Sequence, residues 1–238
     1  RLERLTKRFG DLVAVDHLDL VVPSGEFFVF LGPNGAGKTT TIKLITGLLR
    51  PTGGRVLLDG HDVQQDGIAA KSLLSYVPDQ PFLYEKLTGR EFLLFVAAMY
   101  NLPRRTALER IEALSEMFET RDFLDELGET YSHGMKQRVV ISAALLHDPR
   151  VIVIDEPMVG LDPKGANTLK AVLKERARQG AAIFMSTHTL AVAEETADRV
   201  GIIRNGRLIA LGTLDDIHRE AQTDGQLERA FLRLTEEA

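Results

Sequence analysis

Apolar residues fall along this chain in short blocks, some at the two-residue period of a strand and others at the 3.6-residue period of a helix. Residues 12–22 alternate and are rich in β-branched side chains. Pro23-Ser24-Gly25 then punctuates, and residues 27–31 are unbroken apolar, the pattern of a strand covered on both faces. Residues 38–49 carry Ile42, Leu44, Ile45, Leu48 and Leu49 at helical spacing, with Pro51 and a Gly53-Gly54 turn expected to end the helix before a strand at 55–58. From about residue 87 to 147 the texture is helical, opening on Thr88 and Glu91 at capping-box spacing and interrupted at Asn101-Leu102-Pro103. A β-branched run at 151–154, a helix at 165–178 and an apolar run at 182–185 predict a parallel strand pair joined by a helix. Asn205-Gly206, between 200–203 and 207–210, predicts a hairpin, and a polar helical tail follows.

The fold class this predicts is α/β, with a mainly parallel sheet, strand-rich at its N-terminal end and carrying a helical insert. No repeat or linker divides the 238 residues, so one continuous domain is expected, with approximately 1–80 and 148–238 as its core and 81–147 as the insert. Lysine and arginine number 29 against 34 acidic residues, a net charge of −5, which disfavours a whole-surface nucleic-acid binder and leaves only a local basic patch open. The absence of cysteine removes disulfides, thiolate metal sites and cysteine nucleophiles together, and it fits a cytoplasmic protein. No apolar stretch approaches the roughly 18 to 20 residues that cross a bilayer. The chain opens on Arg1 with no leader pattern, and a trimmed natural start is expected.

Gly32-Pro33-Asn34-Gly35-Ala36-Gly37-Lys38-Thr39 is a complete glycine, four residues, Gly-Lys-Thr phosphate loop, and it lies between a predicted buried strand and a predicted helix. The loop turns backbone amides inward around a polyphosphate. The helix adds its positive end, Lys38 reaches the β and γ phosphates, and the Thr39 hydroxyl serves Mg²⁺. Thr40 adjoins the same cradle. Such a site needs an acidic element, which Asp155-Glu156 supplies at the end of the 151–154 run. Asp155 would face Mg²⁺ directly or through water, and Glu156 would orient or deprotonate the attacking water. Ser186-Thr187-His188 follows the next apolar run, so a parallel sheet would bring His188 to the edge that holds Asp155, within reach of a γ phosphate.

These residues resemble the nucleotide-binding subunit of ATP-binding cassette (ABC) transporters over nearly the whole chain. The diagnostic segment is Tyr131-Ser132-His133-Gly134-Met135-Lys136-Gln137-Arg138, similar to that family's Leu-Ser-Gly-Gly-Gln signature with His133 and Met135 as departures. The resemblance implies a P-loop NTPase core with an N-terminal antiparallel β subdomain and a helical insert. It implies two subunits packed head to tail, as a homodimer or with a paralogous ATPase, so that Ser132 and Gly134 of one cap the ATP of the other. By the same likeness Phe9 takes the place of the aromatic that stacks on adenine, and Asp162 couples the two sites. Where the family has Pro-Gln this chain has Pro78-Asp79-Gln80, and either Asp79 or Gln80 fills that place. Phe82-Leu83-Tyr84 beside it lines either a docking groove or the core.

The implied activity is Mg-ATP hydrolysis that drives a separate integral membrane permease from its cytoplasmic face, with no nucleic acid as partner. A non-transport member of the superfamily, in DNA repair or on ribosomes, is the alternative; such members usually carry long coiled-coil insertions or two cassettes in one chain, and neither is seen in these 238 residues. A GTPase switch is suggested only by Asp162-Pro163-Lys164-Gly165, and the chain has no Asn-Lys-x-Asp guanine reader.

Overall fold

A computed structural model of the chain describes residues 1–222 and 227–237. Residues 223–226 and Ala238 of the expected tail lie outside the described residues. The elements run β1 (Leu2–Phe9), β2 (Leu12–Leu20), β3 (Phe27–Leu31), α1 (Lys38–Ile45), β4 (Gly53–Leu58), β5 (His61–Asp62), α2 (Gly67–Ser72) and β6 (Leu74–Val77). Next come α3 (Gly89–Met99), α4 (Arg104–Met117), a 3₁₀ turn at Gly128–Thr130 and α5 (His133–Leu145). The chain continues through β7 (Val151–Asp155), α6 (Pro163–Arg178), β8 (Ala182–Thr187), α7 (Leu190–Thr196), β9 (Arg199–Arg204), β10 (Arg207–Gly212), α8 (Leu214–Glu220) and α9 (Leu227–Glu237). Two compact units result: one holds 1–74, 150–156 and 173–238, the other 75–149 and 157–172.

The first unit is organised by a sheet in the order β10-β9-β3-β8-β7. β3 is parallel to β8 and β9, and β7 is parallel to β8, with the antiparallel β9–β10 hairpin at the edge. Every residue of β3 is buried, as its unbroken apolar run predicts. The rings of Phe28, Phe30 and Phe184 meet tilted at 5.3 to 6.3 Å, each burial contributing roughly 2 to 3 kcal/mol. Pairing of Leu31 with Thr187 and of Asp155 with Ser186 sets the C-terminal ends of β3, β7 and β8 level with one another. The segments that leave those three ends carry the phosphate loop, Glu156 and His188. Asn205 (φ 50°) and Gly206 (φ 77°) form the predicted turn, whose left-handed pair matches the twist of a hairpin.

A second sheet of this unit, in the order β2-β1-β4-β5, is antiparallel. Its strand β1 escapes the hydrophobic pattern because bulges break its register with β2, and Arg4 sits at φ 45°. Gly53 and Gly54, expected to make a turn, begin β4 instead. Gly54 is at φ 74°, and a Cβ there would meet the Arg4 carbonyl oxygen at 2.3 Å. Helix α1 ends at Ile45 rather than near Leu49, because Gly47 (φ 70°) turns the chain left-handed and its N–H bonds the Leu44 carbonyl.

In the second unit, α3, α4 and α5 pack through Leu93 and Ala97, Ala107 and Ile111, and the almost wholly buried stretch from Val139 to Leu146. The predicted capping box is formed: Thr88 accepts from the Glu91 N–H, and the Glu91 carboxylate accepts from the Thr88 N–H. Thr88→Ala should lower stability by about 1 kcal/mol. Chemical denaturation measures this, and an unchanged midpoint would show the cap to be idle. The buried Tyr131 hydroxyl accepts from the Gly89 N–H at 3.0 Å and donates to the Phe123 carbonyl at 2.8 Å. It thereby ties the residue before Ser132 to the start of α3 and to the loop after α4.

Candidate active site

Within the first unit, the loop of residues 32–37 leaves β3 and enters α1 at Lys38. Gly37, at φ 110°, is the N-cap of α1 and offers no side chain to the first-turn amides, so those amides are open to an anion. A Cβ on Gly37 would come within 2.5 Å of the Ala14 carbonyl oxygen, which excludes other residues there. The Lys38 side chain is folded under the loop at 7% exposure, with Nζ donating to the carbonyls of Gly32 at 2.6 Å and Pro33 at 3.2 Å. Burial pulls its pKa below the usual lysine value, and the negative charges of Glu156 and Asp155 oppose that shift. Thr39 is exposed and Thr40 half-buried at the mouth of the same loop. Phe9 ends β1 with its ring 47% exposed, so it is not a core side chain, and the Lys7 ammonium lies 5.0 Å from the ring centroid.

The two acids are held quite differently. Asp155 is 1% exposed; its Oδ1 accepts a short hydrogen bond from the Ser186 hydroxyl, and its Oδ2 is buried without a partner. A buried carboxylate oxygen with no donor is costly unless a cation or its water completes it. Glu156 follows at φ 47°, a left-handed backbone that turns its side chain out of the strand direction. His188 Nδ1 lies 2.8 Å from Glu156 Oε1, and the Thr187 hydroxyl donates to Oε2 at 3.2 Å. The sheet thus brings His188 to the acids, as the parallel reading required. The roles of Ser186 and Thr187 were out of reach from sequence. Both hydroxyls stand beside His188, but only strand register tells which acid each meets.

The second unit holds the remaining candidates. Asp79 and Gln80 are both exposed in the coil after β6. Ser132 is the N-cap of α5, and its Oγ accepts from the Met135 N–H at 3.3 Å. The loop 159–162 lies against this helix tip. A Cβ on Gly134 would meet the Gly160 carbonyl oxygen at 2.8 Å, and one on Gly160 would strike the His133 ring at 2.1 Å. Asp162 Oδ1 accepts from the Arg138 guanidinium at 2.6 Å and from the Gly165 N–H at 3.3 Å. The Arg138 bond holds that carboxyl below the usual aspartate range. Arg138 also has no sequence signal beyond its place in the signature segment. Leu83 is buried, whereas Phe82 and Tyr84 are exposed, their rings 5.7 Å apart edge to face.

A parallel sheet with a glycine loop, a buried lysine and paired acids at one edge defines a phosphate-loop nucleotide-binding protein. The ABC transporter family model matches residues 15–159, more than half of the chain, and the chain belongs to that family. It is 36% identical over 236 residues to the "probable multidrug ABC transporter ATP-binding protein YbhF" of Escherichia coli, covering 98% of this chain and 41% of the relative. It is likewise 36% identical to the "daunorubicin resistance ATP-binding protein DrrA3" of Streptomyces coeruleorubidus, covering 95% of this chain and 71% of that one. The chain therefore spans well under half of the first relative's length. A solved "ATP binding subunit of ABC transporter" superposes with a TM-score of 0.94 at 35% identity, 98% of each chain being covered. The ATP-binding cassette MJ0796, solved as a post-hydrolysis dimer with ADP and phosphate, superposes with a TM-score of 0.81 at 26% identity over 90% of this chain and 97% of that one. The antiparallel β subdomain and parallel core are those of ABC ATPase structures.

Proposed function

We propose that this chain is one ATP-hydrolysing cassette, running from residue 1 to 238, which converts closure around Mg-ATP into substrate movement through a separate membrane subunit. The observation that carries this reading is Asp155, buried to 1% with Oδ2 unpartnered, in the same unit as the buried Lys38 and beside Glu156. Among the described residues no three His, Cys, Asp or Glu side chains converge on a metal site of their own. Magnesium here would rest on the phosphates, with Thr39 and Asp155 as the protein's contribution, and it would supply charge neutralisation between the β and γ phosphates.

Each residue then has a distinct task. Amides of 32–40 and Lys38 bind the phosphates, the ammonium exchanging the carbonyls of Gly32 and Pro33 for stronger anionic acceptors. Phe9 offers its exposed face to adenine. Glu156 Oε2 accepts the Thr187 hydroxyl and Oε1 lies 2.8 Å from His188 Nδ1, and each oxygen keeps a lone pair to orient or deprotonate a water. His188, 60% exposed at its side chain, donates from its outer nitrogen to the γ phosphate. Ser132 and Gly134, at the positive end of α5, cap the nucleotide of a second copy or a paralogue. Asp162 links the two sites, and Asp79 or Gln80 takes the place of the family's glutamine.

Among the described residues no helix is long and apolar enough to cross a membrane, and the reading assigns translocation to an integral membrane subunit. The exposed Phe82 and Tyr84 offer that subunit an aromatic face. The cassette works at the cytoplasmic surface. Purification from its host tests the whole reading: an integral membrane protein should accompany the chain, and ATP should be preferred to GTP. Recovery with DNA or ribosomes would favour a non-transport role, and preference for GTP would favour a switch.

A further inference from the structure

Glu156 is held by β8 and the residue after it at three points. Its N–H donates to the Ser186 carbonyl at 3.2 Å, His188 Nδ1 lies 2.8 Å from Oε1, and the Thr187 hydroxyl donates to Oε2 at 3.2 Å. Of these, the Thr187 contact is not called for by nucleotide binding. Thr187 is 2% exposed, so bulk water does not compete for its hydroxyl, and as a β-branched residue it has few side-chain rotamers. A threonine hydroxyl has one proton to give. The Thr189 N–H donates to Thr187 Oγ1 at 3.0 Å, which occupies an acceptor direction and leaves that proton to Glu156.

The terminal torsion of a glutamate is broad and roughly two-fold, so the single contact of Oε1 with the exposed His188 does not fix the plane of the carboxylate. A second bond on the other oxygen does. We propose that Thr187 is a positioning residue for hydrolysis: with His188 it locks the plane of the Glu156 carboxylate, so that the remaining lone pair of each oxygen faces the attacking water. Ser186 stands in a parallel relation to Asp155, so two successive hydroxyls of β8 address two successive acids at the end of β7. This inference rests on the ATPase reading above and adds to it the residue that orients its base.

The test compares Thr187→Val, which keeps the shape and loses the hydroxyl, with Thr187→Ser, which keeps the hydroxyl. Steady-state Mg-ATP turnover by the full chain is the readout. Thr187→Val should lower kcat about tenfold with KM within about twofold, since the bonds of this hydroxyl go to Glu156 and the Thr189 N–H rather than to the phosphate loop or Lys38. Thr187→Ser should recover kcat to within about threefold of the unsubstituted chain. In a chain that already carries Glu156→Gln, Thr187→Val should cause no further loss. Should the valine variant fail to fold, Thr187→Ala gives the same contrast against serine. Unaltered kcat without the hydroxyl, failure of serine to rescue, or a full further loss in the chain carrying Glu156→Gln each overturns the assignment. An unsubstituted chain that binds Mg-ATP without turning it over overturns the ATPase reading and this inference with it. A slow valine variant beside a fast serine variant supports both.

Discussion

Glu156→Gln should lower Mg-ATP turnover by about 100-fold or more while nucleotide stays bound, because general-base assistance contributes that order of rate and the neutral amide cannot supply it. The substitution keeps the length of the side chain and one acceptor oxygen. It places an NH₂ group where the structure has either the His188 nitrogen or the Thr187 hydroxyl pointing inward, so two donors meet at one end. On the proposed assignment ATP binding rests on the phosphate loop, so it should be left intact. The expected species is a nucleotide-loaded dimer that does not reopen, seen by gel filtration with Mg-ATP against a nucleotide-free control. Undiminished turnover would remove Glu156 from the reaction.

Lys38→Ala should weaken ATP binding by about 100-fold, close to 2.7 kcal/mol, through loss of charge-assisted bonds to the phosphates. Titration calorimetry reads the affinity directly. Lys38→Arg should not restore it, since the side chain is 7% exposed beneath the loop and the guanidinium fork is bulkier than an ammonium. A variant that still binds with the original affinity would show that the loop holds no polyphosphate. The free chain also feels the change. Lys38 is a counter-charge to Asp155 and Glu156, so its removal leaves two adjacent acids at the end of β7 with one cation fewer to offset them.

Features set by neighbouring residues were legible in the sequence. The buried strand β3, the phosphate loop, the Asn205-Gly206 turn and the Thr88 capping box each follow from a few consecutive side chains, and each is present. Features set by pairing partners were not. In β1 the apolar residues Leu2 and Leu5 sit three apart because a bulge at Arg4 takes up the odd residue, so the strand period is broken on paper and repaired only by β2 and β4. Gly53-Gly54 carries the local chemistry of a turn, but close approach to the Arg4 carbonyl is what calls for glycine at position 54. Lys38, Asp155, Glu156 and His188 could be picked out by spacing. The hydroxyls that aim the acids could not, because Ser186 and Thr187 acquire their partners only when Asp155 and Ser186 stand opposite each other in adjacent strands.

The fit of His133 and Gly134 against Gly160 has an evolutionary corollary. The imidazole ring lies in the space that a Gly160 side chain would need, and the φ of 85° at Gly160 strains any larger residue there whatever stands at position 133. Lineages that exchange His133 should therefore still keep glycine at position 160, because removing the ring opens space there without relieving the left-handed backbone.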